Sequence, residues 1–471
     1  MNQLRVFFRN VSYSMLANII NFVVATVTSL LIPVILGDRI DAYGYFQVYM
    51  FYIGYIGFFH FGLCDGVLLE EGGKEYSELD RQDYAFQFRI LSASEFLIST
   101  AITVITAFQS QGPDYVFISV AFGLNLIVFL PRNLLEYLLQ STCRIKENAC
   151  ITIIGRTVYM FCILILWAIN YTDYYLFVIA DIFGKLCALL YGVYQCRDIV
   201  FSKPCSWRIG LLSAWKKIAA GIKLMLASIS GMIITGVVRF AIQQQWDIAT
   251  YGKISLILSI TNLILLFINA MAIVLYPTLR RVSQDKAISL YYSVRDVLML
   301  LLLGTLLLCY PLQLVMMKLL PQYRESLVFL PILLPVCVYS AKLTLLIQTY
   351  MQVFRMEKEL LRVNLLSVAI SVLLTMIAAY WLHNLTLSIL IILISTATRS
   401  TLAEYALSEK KNLRVWKNSM VESSFVFSFV GISGFCGMKY GLLAYMPLYL
   451  VYLFKKANTL KAAINQMRSE P

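Results

Sequence analysis

The sequence predicts an all-α polytopic membrane protein with about fourteen transmembrane helices, arranged as two parallel six-helix repeats plus a C-terminal hairpin. Two observations support this fold class. Of the 471 residues, 60% are hydrophobic and 14% are charged, whereas about 25% are charged in a typical soluble protein. In addition, apolar stretches of about 20 residues, the length that crosses the hydrocarbon core, recur along the whole chain.

These apolar stretches define the predicted spans and the segments between them. In the first lobe (residues 1–196), the spans are 11–36, 43–69, 85–108, 114–141, 148–169 and 172–196. A cytoplasmic connection (197–217) leads to the second lobe (218–406), with spans 218–240, 250–277, 293–318, 326–352, 360–382 and 385–406. Three segments follow the second lobe. They are a second cytoplasmic connection (407–420), an extra transmembrane hairpin (421–454, with spans 421–437 and 440–454) and a cytoplasmic tail (455–471). The first run is too long for a signal peptide and is interpreted as a span.

Basic residues fall mostly in alternate loops, which sets the predicted orientation. The outer loops contain Arg39, Arg324 and Lys439, and most other loop cations lie on the opposite side. Because cytoplasmic loops are rich in lysine and arginine, both termini are predicted to be cytoplasmic. The same rule explains the net charge of +13 without a nucleic-acid partner.

Sequence motifs do not predict an enzyme, a cofactor or a metal site. The ten cysteines form no C-x-x-C pair, and only two histidines are present. No P-loop, G-x-G-x-x-G, H-E-x-x-H or G-x-S-x-G motif occurs. Without a nucleotide site, an ion gradient is the expected energy source.

Two short sequence matches indicate an internal repeat, in which the second half of the chain has the same helix order as the first. Tyr43-Gly44 opens the second span, and Tyr251-Gly252 opens the eighth. The segment 144–147 follows the fourth span, and the similar segment 355–358 follows the tenth. Both matches link spans that lie six apart. Because six is an even number, the two halves share one orientation, as in transporters with parallel repeats.

Charged residues inside the predicted spans are candidate functional residues, because they are costly in a bilayer. Arg132 and Glu136 lie four residues apart on one span, as do Asp181 and Lys185 on another. Each pair is equally consistent with a self-neutralising ion pair at helical spacing. Lys342 has no such neighbour, and the repeat aligns it with Arg132. We therefore expect Lys342 and Arg132 to face a water-filled interior.

Among the other charged residues in the predicted spans, five are considered individually. Arg239 is followed by three glutamines, as expected at a cavity mouth, and Arg156 lies in the fifth span. Arg399 is expected to extend towards the inner interface. Asp65 and Glu95 have no adjacent cation and are candidates for proton or sodium coupling, although either acid could instead pair with an arginine on another helix.

Basic residues outnumber acidic ones in the predicted interior, which favours an anionic substrate. Phosphate and pyrophosphate are the natural candidates, because the arginine side chain offers a forked set of donors that matches their oxygens. The candidate anion-binding residues are Arg132, Lys342, Arg239 and Arg156.

Several segments resemble one known family. They are YGYFQVYMFYIGYIGFFHFGLCDGV in the second span, MAIVLYPTLRRVSQD with Pro277 after the eighth, and Arg239 shortly before a Tyr-Gly helix. Together they resemble the Wzx-like polysaccharide flippases of the multidrug/oligosaccharidyl-lipid/polysaccharide exporter superfamily. The likeness covers residues 1–454. The first two spans lack the interior arginines typical of lipid II flippases, which disfavours that branch.

The resemblance implies a flippase for undecaprenyl-pyrophosphate-linked oligosaccharide repeat units, used for O-antigen, capsule or exopolysaccharide assembly. It implies two six-helix lobes that work by alternating access in a bacterial inner membrane, with a polysaccharide polymerase as a possible partner. Two alternatives stay open at this point. One is an ion-coupled multidrug exporter of the same superfamily, which would prefer acidic residues in its lobes. The other is a non-transporting scaffold of an envelope-assembly complex, which would tolerate neutral replacement of the intramembrane charges.

Overall fold

Helices are the only regular secondary structure in the residues that the computed structural model describes, namely 2–109, 112–280 and 284–469. The structure does not describe the side chains of residues 1–11, 227, 267–287, 289, 438–439 and 457–471. Pro277 and the basic loop after it, which contribute to the family resemblance, therefore lie outside the residues whose side chains are described. The chain forms two units, one ending at Ile229 and the other beginning at Ser230. The lobe boundaries drawn from the sequence stay a prediction.

The first unit contains eight helices and the beginning of a ninth. They are α1 (Asn2–Leu36), α2 (Ile40–Ile53), α3 (Leu63–Glu71), α4 (Arg81–Phe108), α5 (Pro113–Ser141), α6 (Ile145–Ala168), α7 (Tyr175–Gln195), α8 (Arg197–Val200) and α9 (Trp207–Gln245). α5 contacts α2, α3, α4, α6 and α7. Its leucines at 126, 130, 134 and 138 repeat every four residues and are fully buried, as expected for the apolar face of a helix.

The second unit contains the rest of α9 and nine further helices. They are α10 (Ile248–Arg280), α11 (Gln284–Thr305), α12 (Cys309–Leu319), α13 (Leu330–Leu333), α14 (Pro335–Ala341), α15 (Thr349–Val353), α16 (Glu357–Thr375), α17 (Leu385–Lys411) and α18 (Trp416–Ser469). The predicted span 326–352 is a composite of 3₁₀, α and π segments. Pro331 and Pro335 remove backbone donors within it, and a π segment begins at Lys342.

The predicted all-α membrane fold is confirmed. Among the described residues, 11 helical stretches are long and apolar enough to cross a membrane, or 13 if each of two bent helix pairs forms one span. Thirteen of the fourteen predicted spans thus have a counterpart. The predicted last span, 440–454, lies in α18 beyond Gly437, where the backbone leaves the helical conformation.

The second predicted span, 43–69, is broken rather than continuous. α2 ends at Ile53, a 3₁₀ turn covers Ile56–His60, and α3 begins at Leu63 with a bend of 55°. The break occurs where Phe61 and Gly62 both have positive φ, at 49° and 87°. Two consecutive residues in the left-handed region cannot continue a right-handed helix.

Glycines let the broken span pack directly against the backbone of α9. A Cβ atom on Gly66 would collide with the carbonyl oxygen of Lys217, and one on Gly221 would collide with the carbonyl oxygen of Gly62. Glycine at these positions therefore fixes how closely α3 approaches α9, as in other closely packed membrane helices.

Replacing Gly66 by alanine is expected to destabilise the protein by about 1–3 kcal/mol, because backbone atoms on both sides must move apart. Thermal unfolding of the purified protein measures this effect. Gly57→Ala is the matched control, since a Cβ atom there would meet nothing within 4 Å. Equal melting temperatures for the two variants would contradict the packing described here.

Candidate functional site

The first unit encloses a cavity of about 140 Å³ rich in basic side chains, which we call the basic cavity. Helices α1, α5, α6 and α7 line it. The lining residues are Asn21, Phe129, Arg132, Thr152, Gly155, Arg156, Tyr159, Asp181 and Lys185. Three of these side chains are cationic and one is acidic. Two of the four anion-binding residues predicted from the sequence, Arg132 and Arg156, therefore line one cavity.

Small residues bring two walls of the basic cavity together. A Cβ atom on Gly184 of α7 would lie 2.6 Å from the carbonyl oxygen of Gly155 on α6. A Cβ atom on Gly155 would in turn lie 3.2 Å from that of Ala188. This close approach places Arg156 of α6 and Lys185 of α7 on the walls of the same space.

Arg132 is paired but keeps donor capacity. Its Nη2 donates to Glu136 Oε2 at 3.2 Å, so the i, i+4 ion pair considered as one alternative from the sequence forms. The guanidinium carbon lies 4.9 Å from the centre of the Phe129 ring. Its Nε is buried and has no hydrogen-bond partner within the described chain. Pro131 precedes Arg132 inside α5 and removes one backbone hydrogen bond from the helix there.

Lys185 is held in a network of buried polar groups. Its Nζ donates to Asp181 Oδ2 at 2.6 Å and to Asn125 Oδ1 at 2.9 Å. Tyr49 donates from its hydroxyl to the same Asp181 oxygen at 2.5 Å, and Asn125 donates to the Tyr49 hydroxyl at 2.8 Å. The second i, i+4 ion pair, also considered as one alternative from the sequence, therefore forms as well. The sequence interpretation did not identify Tyr49 or Asn125, because only the fold brings them to α7.

Arg156 is the cation of the basic cavity that lacks a direct carboxylate partner. Within the described ranges, no acidic oxygen lies within 4 Å of its guanidinium, whereas Arg132 and Lys185 each have one. Arg156 is partly exposed. Its charge makes the cavity positive, so the cavity favours an anion.

Lys342 does not face a cavity as expected from the sequence but belongs to a buried ionic quartet in the second unit. The quartet consists of Arg295 on α11, Lys342, Glu404 on α17 and Glu422 on α18, and no member is more than 3% exposed. Lys342 Nζ lies 2.6 Å from Glu404 Oε2 and 3.1 Å from Glu422 Oε2. Ser419 accepts a further hydrogen bond from it at 3.2 Å.

Arg295 completes the quartet and makes it electrically neutral. It donates two hydrogen bonds to Glu422, at 2.6 and 2.8 Å, and one to Glu404 at 2.8 Å. Lys342 is therefore buried because two carboxylates that are distant from it in sequence, Glu404 and Glu422, contact its ammonium group. A role of Lys342 in anion binding stays a prediction, and the alternative is that Lys342 only stabilises the fold.

Arg239 lies between α9 and α10. Its Nη2 donates to the Tyr251 hydroxyl at 3.2 Å and to Ser255 Oγ at 3.3 Å, and its guanidinium lies 5.7 Å from the Tyr251 ring centre. The Tyr-Gly dipeptide of the repeat therefore contacts this arginine. Arg239 belongs to the second unit, whereas Arg132 and Arg156 belong to the first.

The two candidate coupling acids have different surroundings. Glu95 on α4 is fully buried, and neither carboxylate oxygen has a hydrogen-bond partner within the described chain. Asp65 Oδ2 lies 3.8 Å from His60 Nε2. Because His60 Nδ1 accepts the Gly62 N–H at 3.0 Å, a neutral His60 ring carries its proton on Nε2, facing Asp65. The pairing with an arginine considered from the sequence is not seen for either acid among the described residues.

No group of three or more histidine, cysteine or acidic side chains in the described part of the chain could hold a metal ion. The cysteines there are free.

Comparison with solved structures shows a fold shared with transporters. A multidrug resistance MATE family transporter of the MOP superfamily, in its inward-facing conformation, matches with a TM-score of 0.64 and 12% identity. The match covers 86% of this chain and 99% of that one. The lipid II flippase MurJ, in an inward closed conformation, matches with a TM-score of 0.61 and 12% identity, over 94% of this chain and all of that one. No protein-family model and no curated protein matches the sequence.

Proposed function

We propose that this protein is a membrane transporter that flips a lipid-linked anionic glycan, with the anionic group bound in the basic cavity. The observation that carries this proposal is that Arg132, Arg156 and Lys185 line one cavity with a single acid, Asp181. The fold shared with a MATE transporter and with MurJ supports transport.

The volume of the cavity limits what it holds. A dry cavity of about 150 Å³ accommodates one benzene molecule in a well-studied lysozyme variant. The basic cavity, at about 140 Å³, therefore has room for a phosphate-sized group but not for an oligosaccharide. We infer that only the charged linkage enters it, while the glycan and the lipid tail lie elsewhere.

The chemical identity of the proposed substrate follows from the resemblance of the sequence to the Wzx-like flippases. The substrate we propose is an undecaprenyl-pyrophosphate-linked oligosaccharide repeat unit, moved from the inner to the outer leaflet by alternating access for O-antigen, capsule or other surface polysaccharide. We further propose a bacterial inner membrane, cytoplasmic termini and a polysaccharide polymerase as a partner. A multidrug exporter for organic cations is disfavoured, because a positive cavity repels such substrates. A non-transporting scaffold would have no need of a cationic cavity.

Liposomes that contain the purified protein test the substrate class. A fluorescent undecaprenyl-pyrophosphate oligosaccharide, read with a leaflet-specific quencher, is compared with a cationic dye under the same gradients. We expect protein-dependent movement of the glycolipid and no accumulation of the dye. Dye transport without glycolipid movement would assign the chain to the drug-exporter alternative, and neither activity would favour the scaffold.

Glu95 is the proposed coupling group. Since its carboxylate has no hydrogen-bond partner among the described residues, it can bind and release a proton without breaking an ion pair. The other candidate acid, Asp65, lies beside His60. Asp65 is the second candidate.

Glu95→Gln is expected to remove the dependence of flipping on an imposed pH gradient, because glutamine cannot exchange a proton. Initial flipping rates in liposomes with and without the gradient measure this effect. Glu147→Gln is the matched control, since this partly exposed acid pairs with Arg144 near the start of α6. A gradient response in Glu95→Gln equal to that of the wild type would exclude Glu95 as the coupling group.

A further inference from the structure

Four polar side chains of the first unit form a closed ring of hydrogen bonds at the wall of the basic cavity. They are Tyr49, Asn125, Asp181 and Lys185. Asp181 and Lys185 on α7 line the cavity. Tyr49 on α2 and Asn125 on α5 are completely buried and are not among the lining residues. The ring therefore connects the cavity wall to two neighbouring helices.

The ammonium group of Lys185 is shared between the ring and the cavity. Such a group carries three N–H donors. Two of them are used, because Lys185 Nζ donates to Asp181 Oδ2 at 2.6 Å and to Asn125 Oδ1 at 2.9 Å. One donor is left for an anion in the cavity that the lysine lines. An anion that binds Lys185 must therefore share its charge with Asp181.

The Asp181 carboxylate has opposite effects on the empty and the occupied cavity. Without an anion, it neutralises an ammonium group that would be costly to bury alone. With an anion bound to Lys185, two negative groups lie at the same nitrogen, and like charges repel strongly where water is scarce. Asp181 therefore stabilises the empty cavity and lowers its affinity for an anion.

Each member of the Lys185–Asp181 pair has a second partner that remains when the pair separates. Tyr49 donates from its hydroxyl to Asp181 Oδ2 at 2.5 Å, which is a strong bond because the acceptor is charged. Asn125 accepts from Lys185 and donates to the Tyr49 hydroxyl at 2.8 Å. Separation of the ion pair therefore leaves neither charged group without a hydrogen bond.

We propose that Asp181, held by Tyr49, is the release group of the basic cavity. It competes with the anionic group of the substrate for Lys185 and pairs with the lysine again when the substrate leaves. This inference rests on the proposed function, in which the cavity binds the linkage of a lipid-linked glycan. A transporter must release its cargo, and an anion that is held more tightly mostly dissociates more slowly. Exchanging one ion pair for another avoids an unpaired buried charge at either stage.

Calorimetric titration of the purified full-length protein with inorganic pyrophosphate tests the competition. Asp181→Asn removes the charge but keeps an acceptor oxygen for Lys185 and Tyr49. It should bind pyrophosphate at least about tenfold more tightly than the wild type, because the repulsion is gone. Its flipping of the glycolipid should reach half-saturation at a lower concentration and a lower maximal rate. A carboxylate with a merely structural role would not produce tighter binding, so unchanged or weaker binding in Asp181→Asn would overturn the proposal.

Glu147→Gln is the control for Asp181→Asn. It removes an acid of α6 that is paired with Arg144 and is not among the residues lining the cavity. Both substitutions change the net charge by the same amount. Tighter pyrophosphate binding in Glu147→Gln equal to that in Asp181→Asn would reduce the effect to net charge and would also overturn the proposal.

Tyr49→Phe should have the opposite sign. It keeps the ring and removes the hydroxyl, and the Asn125 amide retains its bond to the carbonyl oxygen of Ala121 at 3.1 Å. We expect pyrophosphate binding to weaken about fivefold, because a carboxylate without this donor holds Lys185 more strongly. In the Asp181→Asn background the same change should have little effect. Unchanged or tighter binding in Tyr49→Phe would overturn the proposal, even if Asp181→Asn fails to fold.

Glycolipid movement in liposomes separates this proposal from the proposed function. Pyrophosphate binding that tightens in Asp181→Asn, in a protein that moves no glycolipid, would support competition for Lys185 and refute the flippase. Normal flipping with an unchanged pyrophosphate affinity in Asp181→Asn would overturn the competition alone. Absence of pyrophosphate binding in both the wild type and Asp181→Asn would refute both.

Discussion

Replacing Lys342 by methionine is expected to lower the free energy of unfolding by about 3–5 kcal/mol, because one buried carboxylate of the ionic quartet loses its counter-charge. Glu404 and Glu422 would then share Arg295 alone. Thermal unfolding of the purified protein and its abundance in membranes measure the loss. Lys318→Met is the matched control, because it removes an exposed lysine from the same unit.

The double variant Lys342→Met with Glu422→Gln restores neutrality in the quartet. We expect it to recover most of the lost stability, since the remaining pair, Arg295 and Glu404, is balanced. This variant also separates the two interpretations of Lys342. A folded double variant that flips substrate normally would make Lys342 a structural residue. A folded but inactive one would favour the anion-binding role expected from the sequence. A double variant no more stable than Lys342→Met would contradict the neutral-quartet account.

Arg156→Gln is expected to reduce flipping about 10- to 100-fold while leaving the protein folded. A hydrogen bond to a charged group contributes about 1.5–3 kcal/mol, and each 1.4 kcal/mol corresponds to a factor of ten. Stability should change little, because Arg156 has no ion-pair partner among the described residues that would be left unpaired. Arg156→Lys, which keeps the charge but not the fork, should be intermediate.

Lys146→Gln is the matched control for Arg156→Gln, since it removes an exposed cation from the same helix, α6. Initial flipping rates in liposomes, normalised to the amount of folded protein, are the measurement. Equal rates in Arg156→Gln and Lys146→Gln would remove Arg156 from the proposed binding site.

The sequence predicts the membrane fold and the pairs that are local in the chain. Hydropathy alone locates the spans, and the i, i+4 spacing of Arg132 with Glu136 and of Asp181 with Lys185 gives ion pairs that the structure contains. The break after His60 could have been suspected from Gly62, but a glycine inside an apolar run does not by itself indicate positive φ at two successive residues.

The contacts of Lys342 could not be predicted in this way. Its carboxylate partners, Glu404 and Glu422, lie on two other helices, and both acids stand near the end of a predicted span, where a charged residue is ordinary. Only helix packing brings these ends together around Lys342. The same holds for Arg399, whose neighbours Asn364 and Gly231 are distant in the chain.

Crosslinking from inside the basic cavity shows directly whether the anionic linkage of the substrate enters it. A photoreactive amino acid at Thr152, a lining residue of α6, is illuminated with a labelled undecaprenyl-pyrophosphate oligosaccharide. Thr100, exposed on α4, is the control position. We predict an adduct from position 152 that inorganic pyrophosphate suppresses and that Arg156→Gln abolishes. Equal labelling from both positions, unaffected by Arg156→Gln, would show that the linkage does not enter the basic cavity.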